Sequence, residues 1–133
     1  MSVEKPAIAR AKAFYASEGY EVEDVSRVRG HNGYDLVATR DGITQKVEVK
    51  GCSRPWQIPD FFVTEFDENQ RLVADVLCVV YFAPELKGTI CLIPRDAIPA
   101  EFVVPKRGYR ISGRFKKQSV LSQFARQVAV DDV

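Results

Sequence analysis

The chain has 133 residues, with 19 basic and 18 acidic side chains and a net charge of +1 at pH 7, a balance that does not by itself point to a polyanionic partner. At this length one domain spanning residues 1–133 is expected, with roughly two thirds of the unfolded surface buried on folding. The opening Met1-Ser2-Val3-Glu4-Lys5-Pro6 lacks the apolar stretch of a secretory signal, and the longest apolar run, Val76 to Pro84, is too short to span a bilayer, so a cytoplasmic protein with no membrane partner is expected. Cys52, Cys78 and Cys91 are odd in number and lack close pairing, which argues against a disulfide framework or a zinc site.

From Val3 to Glu18 the apolar residues Ala7, Ile8, Ala11, Phe14 and Tyr15 recur at helical spacing, with Pro6 in the first turn and Gly19 as a stop. Tyr20 to Arg27 predicts a strand, leading through the loop Val28 to Gly33 into two alternating runs around Asp41-Gly42. Asp-Gly between such runs predicts a hairpin with a type I′ turn. If Asp41 and Gly42 are the loop, Arg40 pairs with Ile43, and counting outward sets Asp35 opposite Glu48. Tyr34, Leu36, Ala38, Ile43, Val47 and Val49 then form the apolar back of the hairpin. Ser53 to Asp60 is a loop, and Asp67 to Ala74 predicts a short helix. Val76 to Phe82 reads as a strand buried on both faces, and Gly88 to Ile93 as another. Pro94 to Pro105 is irregular, Tyr109 and Ile111 suggest a short strand, and Gln118 to Val128 a closing helix. Cys78 and Cys91 fall in strands as small hydrophobes, whereas Cys52 falls in a loop as a candidate reactive thiol.

Two carboxylates facing each other across a strand pair repel, and a hard divalent cation with oxygen ligands is the simplest compensation. Lys50 lies two residues past Glu48 and projects from the same face, so the hairpin gathers Asp35, Glu48 and Lys50 on one surface. A solvated strand face with lysines compensating ordinary acids is the plain alternative.

The order helix, then Gly33-Tyr34-Asp35 in one strand, then Glu48-Val49-Lys50-Gly51 in the next, resembles the PD-(D/E)XK nuclease superfamily. With Val3-Glu4, Gly19-Tyr20 and Glu23-Asp24-Val25-Ser26 added, residues 3 to 82 are most similar to the NO VEIN C-terminal domain family. The resemblance implies an α/β restriction endonuclease-like core, with a central mixed sheet flanked by helices in the order α-β-β-β-α-β, followed by C-terminal strands and a helix. It also implies Mg²⁺, with Mn²⁺ as a substitute, held by Asp35, Glu48 and the carbonyl of Val49, while Lys50 orients the attacking water. Glu4 would add an acid reaching the metal through water, and Gln70, on the helix after the hairpin, an auxiliary group. Glu4 equally suits an acid stabilising a helix N-terminus, and Gln70 a surface polar group. The family places a threonine and then a glutamate in a longer helix after the hairpin. Here Thr64 is present but the segment to Asp75 is compressed, which puts Glu65, Glu68 and Gln70 in doubt.

Phosphodiester hydrolysis fits these residue types, since a cation between carboxylates neutralises phosphoryl charge and a lysine positions hydroxide. Pro105 to Val130 carries seven basic residues and no acid, Lys106, Arg107 and Arg110 among them, a strip suited to phosphate-backbone contact or simply a solvated basic face. Arg54 is placed to contact phosphate beside the site, and Trp56 either stacks on an unpaired base or packs over its loop. His31 and Asn32 are cleft or turn residues. Two functions follow: a Mg²⁺-dependent nuclease acting on DNA in defence or repair, dimeric if it cuts both strands, or a nuclease-fold module that binds nucleic acid or a protein partner without cutting. The residues do not separate DNA from RNA.

Overall fold

A computed structural model describes residues 4–27, 33–105 and 108–128. The first helix, α1, runs Glu4–Ser17 and buries the five apolar residues its spacing predicts, Ala7, Ile8, Ala11, Phe14 and Tyr15. Glu4 lies in its first turn, where a carboxylate meets the positive end of the helix dipole. The chain then forms β1 (Glu21–Asp24), β2 (Leu36–Arg40), β3 (Ile43–Cys52), β4 (Val76–Tyr81) and β5 (Thr89–Pro94). A separate hairpin follows, β6 (Val103–Pro105) with β7 (Tyr109–Ile111), and the last elements are α2 (Gln118–Leu121) and β8 (Ala125–Gln127).

The central sheet has six strands in the order β1-β2-β3-β4-β5-β8. β3 and β4 are parallel and every other neighbouring pair is antiparallel, so the fold is a mixed α/β sheet with few helices. The Asp41-Gly42 turn has φ of 54° and 78°, the positive pair a type I′ turn requires, and Arg40 pairs with Ile43 as the count predicts.

Alternation along the buried strands divides the core in two. Leu36, Ala38, Val47, Val49, Cys78, Val80 and Ile90 face α1. Cys52, Leu77, Val79, Tyr81, Cys91 and Ile93 face the other way, under a cover made by the segment from Ile58 to Ala74, the β6–β7 hairpin, Phe115 and Leu121. Glu48 and Lys50 alternate with Val47 and Val49, so they project into this second layer, away from α1. Two members of the expected apolar back depart from it. Ile43 is 68% exposed at the hairpin tip, beyond the reach of the core, and Tyr34 packs into the second layer.

The helix expected over Asp67 to Ala74 does not form. A single 3-10 turn, Val63–Glu65, is followed by a tight loop in which Asp67 Oδ1 accepts the N–H groups of Asn69 and Arg71, and Phe66 bridges to Leu72. An aspartate that bonds backbone two and four residues on offers the chain a turn in place of a helix. The closing helix is also shorter than its periodicity predicts, because α2 passes through the 3-10 turn Ser122–Phe124 into β8, which pairs with Thr89, Ile90 and Cys91. The unpaired N–H and C=O groups along the edge of β5 are satisfied by a strand and not by a helix, so tertiary pairing overrides local propensity. Pro94 to Pro105 contains two 3-10 turns, Arg95–Ala97 and Ala100–Phe102, before β6.

Candidate active site

Asp35 is fixed by its own backbone. Its carbonyl accepts the Val25 N–H at 2.9 Å, and its N–H donates to the Val47 carbonyl at 2.8 Å. The Cα pairing of β2 with β3 ends at Leu36 and Val47, one step short of setting Asp35 squarely against Glu48. The side chain closes that gap: Oδ2 of Asp35 accepts the Val49 N–H at 2.8 Å, which draws the carboxylate over β3 beside Glu48.

Glu48 is 6% exposed. Burial pushes its carboxyl up to about 10, and the charges of Asp35 and Glu65 and a hydrogen bond shared with Asp35 add to the effect, against which Lys50 lowers it. A carboxyl in low dielectric beside a second carboxyl retains its proton at neutral pH unless another positive charge replaces it. The donor chemistry therefore fits a small hard cation between Asp35 and Glu48. Among the described residues no group of three or more His, Cys, Asp or Glu side chains is arranged to hold an ion. Two carboxylates, a main-chain carbonyl such as that of Val49 and several waters is a set typical of Mg²⁺, which dehydrates reluctantly.

Lys50 brings the third charge, and its partner is one the sequence reading left in doubt. Nζ of Lys50 lies 3.0 Å from Oε1 and 2.8 Å from Oε2 of Glu65, with side-chain exposures of 13% and 8%. Only the Oε1 contact is a hydrogen bond; Oε2 is buried and meets the ammonium as an ion pair alone. Oε1 also accepts the Phe62 N–H at 3.1 Å, and the Glu65 carbonyl accepts the Val73 N–H at 3.0 Å. The ammonium sits 4.9 Å from the Phe61 ring centroid and 5.7 Å from that of Phe62, near the π faces that attract a cation. The signal for Glu65 was the glutamate that follows Thr64. The compressed segment to Asp75 leaves no room for the family's longer helix, yet a single 3-10 turn suffices to aim the side chain.

The remaining candidates are dispersed. Glu4 is exposed and lines a groove with Lys5, Lys12, Asp24 and Arg27. Gln70 is exposed with φ of 61°, in the Asp67 turn and not on a helix, and lines a cavity of about 240 Å³ with Phe66, Arg71 and Arg95. Arg54 is exposed in the loop after β3. Trp56 packs over that loop against Tyr81, ring centroids 5.9 Å apart. Arg110 is exposed on β7 beside Tyr109, whose backbone bridges to Phe61. Arg126 belongs to β8 at the far edge of the sheet, whereas Arg114, Lys116 and Lys117 lie between β7 and α2, so the basic segment is spread over several elements. Lys106, Arg107, His31 and Asn32 lie outside the described residues. Cys52 is buried, donates to the Arg54 carbonyl at 3.3 Å, and has its thiol pushed up by burial, an environment that disfavours the reactive thiolate.

No family model matches the chain, and no curated protein matches it. Among solved structures it is similar to that of a bacterial homing endonuclease, I-Ssp6803I, with 15% sequence identity over 96% of this chain and 76% of that one and a TM-score of 0.48.

Proposed function

We propose that this protein is a Mg²⁺-dependent nuclease of the PD-(D/E)XK type, hydrolysing DNA phosphodiester bonds. The observation that carries the reading is the buried Glu48 carboxyl beside the half-buried Asp35 carboxylate, with the Lys50 ammonium projecting from the same face of β3. Asp35, Glu48 and the Val49 carbonyl would hold the cation, which on binding supplies charge neutralisation at the phosphoryl oxygens and a more acidic water. Lys50 presents a fixed positive charge to the attacking water and the scissile phosphate. Glu65 sets where that charge stands, because both of its oxygens lie within 3.0 Å of Nζ. Glu4 and Gln70 play no part in this reading, and Mn²⁺, a hard cation with the same ligand preference, should substitute for Mg²⁺.

The experiment is cleavage of supercoiled plasmid, single-stranded and branched DNA in Mg²⁺ or Mn²⁺, comparing the wild type with Glu48→Gln. The variant keeps the shape of the buried side chain, so its fold should persist while cleavage falls at least about 100-fold, as when a transition-state charge partner is removed. Cleavage that survives in Glu48→Gln would sink the proposal. One observation favours the second reading, a nuclease-fold module that binds without cutting: the ammonium of Lys50 is already engaged by Glu65. No cutting by the wild type, with DNA binding retained, would select it.

Arg110 is an exposed basic residue that follows Tyr109, the residue bridged to Phe61. Arg110→Ala should weaken DNA binding and reduce the slope of log affinity against log salt by about 1, as expected for one lost phosphate contact. Anisotropy titrations at several salt concentrations measure it, and an unchanged slope removes Arg110 from the interface.

A further inference from the structure

We infer that Phe62 is a stacking platform for an unpaired nucleobase next to the scissile phosphate, so that the preferred substrate is single-stranded or locally unpaired nucleic acid. The inference rests on the nuclease reading for the position of the phosphate, and on Phe62 itself for the rest. Phe62 is 74% exposed, whereas its neighbour Phe61 is 3% exposed and packs edge-on against Phe66 with centroids 5.1 Å apart. The other large hydrophobic exposed to this degree among the described residues, Ile43, stands at the tip of the β2–β3 hairpin. Phe62 is instead beside the site, with the Lys50 ammonium 5.7 Å from its centroid.

The backbone that displays the ring is fixed from three directions. The Phe62 N–H donates to Oε1 of Glu65, the same oxygen that receives Lys50. Phe61 exchanges two backbone hydrogen bonds with Tyr109, at 2.7 and 3.0 Å. Gly108, at φ 127°, lets the β7 chain approach so closely that a Cβ there would stand 2.3 Å from the Phe61 carbonyl oxygen. An aromatic ring left in water on an anchored backbone loses little further freedom on binding, so its contact area converts efficiently into affinity.

The chemistry of the occupant follows from the ring's neighbour. A flat apolar surface linked to an anion would lay its flat part on Phe62 and its charge toward Lys50, and a nucleotide has that form. A base pair in the interior of a duplex keeps both faces in its own stack and has none to offer. Base–aromatic stacking tolerates any sequence, since every base has a π face.

The test is binding of a short single-stranded oligonucleotide containing 2-aminopurine, and of the matching blunt duplex, with EDTA present to prevent cutting. The wild type should bind the single strand and quench the 2-aminopurine. Phe62→Ala should lose roughly 5- to 100-fold in single-strand affinity together with the quenching, leave duplex affinity unchanged, and Phe62→Trp should retain both signals. Equal losses on both substrates, an unchanged single-strand affinity, or no single-strand binding by the wild type would each overturn the inference. The nuclease reading fails separately, through cleavage that does not depend on Glu48.

Discussion

Removing either partner of the Lys50–Glu65 pair is expected to destabilise the protein by about 3–5 kcal/mol, the usual cost of leaving one member of a buried ion pair alone. The side chains are 13% and 8% exposed, so solvent screens the pair little. Glu65→Ala would leave the ammonium under Phe61 and Phe62 without its ion-pair partner, and would take the acceptor from the Phe62 N–H as well. Lys50→Met would leave a carboxylate whose Oε2 has no hydrogen bond, still close enough to Glu48 to add to its repulsion. The double variant Lys50→Met/Glu65→Gln removes both charges and retains an acceptor for Phe62. It should recover to within about 1 kcal/mol of the wild type, since paired buried charges are often replaceable together at little cost. Urea unfolding measures all of these variants, with a falling midpoint at constant slope as the signature of changed stability. If the losses of Lys50→Met and of Glu65→Gln measured alone simply add in the double variant, the two side chains are not coupled and Glu65 does not position Lys50. This coupling also decides how to read a cleavage assay: loss of cutting in Lys50→Ala mixes chemistry with instability, whereas Glu48→Gln does not.

The pair also marks where the sequence stopped being legible. Periodic signals carried far: the five buried residues of α1, the Asp41-Gly42 turn and the all-apolar β4 follow from spacing and turn chemistry. Asp35, Glu48 and Lys50 could be gathered because one hairpin with a known turn fixes neighbours by counting. Even there the final step was made by a side chain, since the Asp35 carboxylate crosses to the Val49 N–H where the strand ladder ends. Glu65 could not be found by counting, because it is brought to Lys50 by a loop whose path depends on Phe61 bonding to Tyr109, far along the chain. For the same reason the local pattern of Gln118 to Val128 gave a helix where the edge of β5 takes a strand. Contacts that are close in space and remote in sequence leave little periodic trace.

Glu48→Gln is expected to stabilise the metal-free protein at neutral pH while abolishing its response to Mg²⁺. The Glu48 carboxyl rises from an ordinary 4.5 to about 10 on folding, so between those values the native state holds a proton that the unfolded chain has released. Stability changes with pH in proportion to protons bound by the unfolded state minus protons bound by the native state. That difference is negative here, so this contribution is fully present below pH 4.5 and is lost as pH rises toward 10. A glutamine is neutral at every pH, which removes the slope, and near pH 8 the gain should be about 1–3 kcal/mol, the scale of an uncompensated buried polar group. At this chain length each kcal/mol corresponds to roughly 4 °C in Tm. Mg²⁺ should act on the wild type in the same direction by replacing the proton, adding about 2.7 kcal/mol at a hundredfold excess over Kd. Thermal melts of both proteins from pH 5 to about pH 9, with Mg²⁺ and with EDTA, test each part. A wild type whose Tm neither falls with pH in EDTA nor rises with Mg²⁺ would show that the carboxyl pair is not built to exchange a proton for a cation.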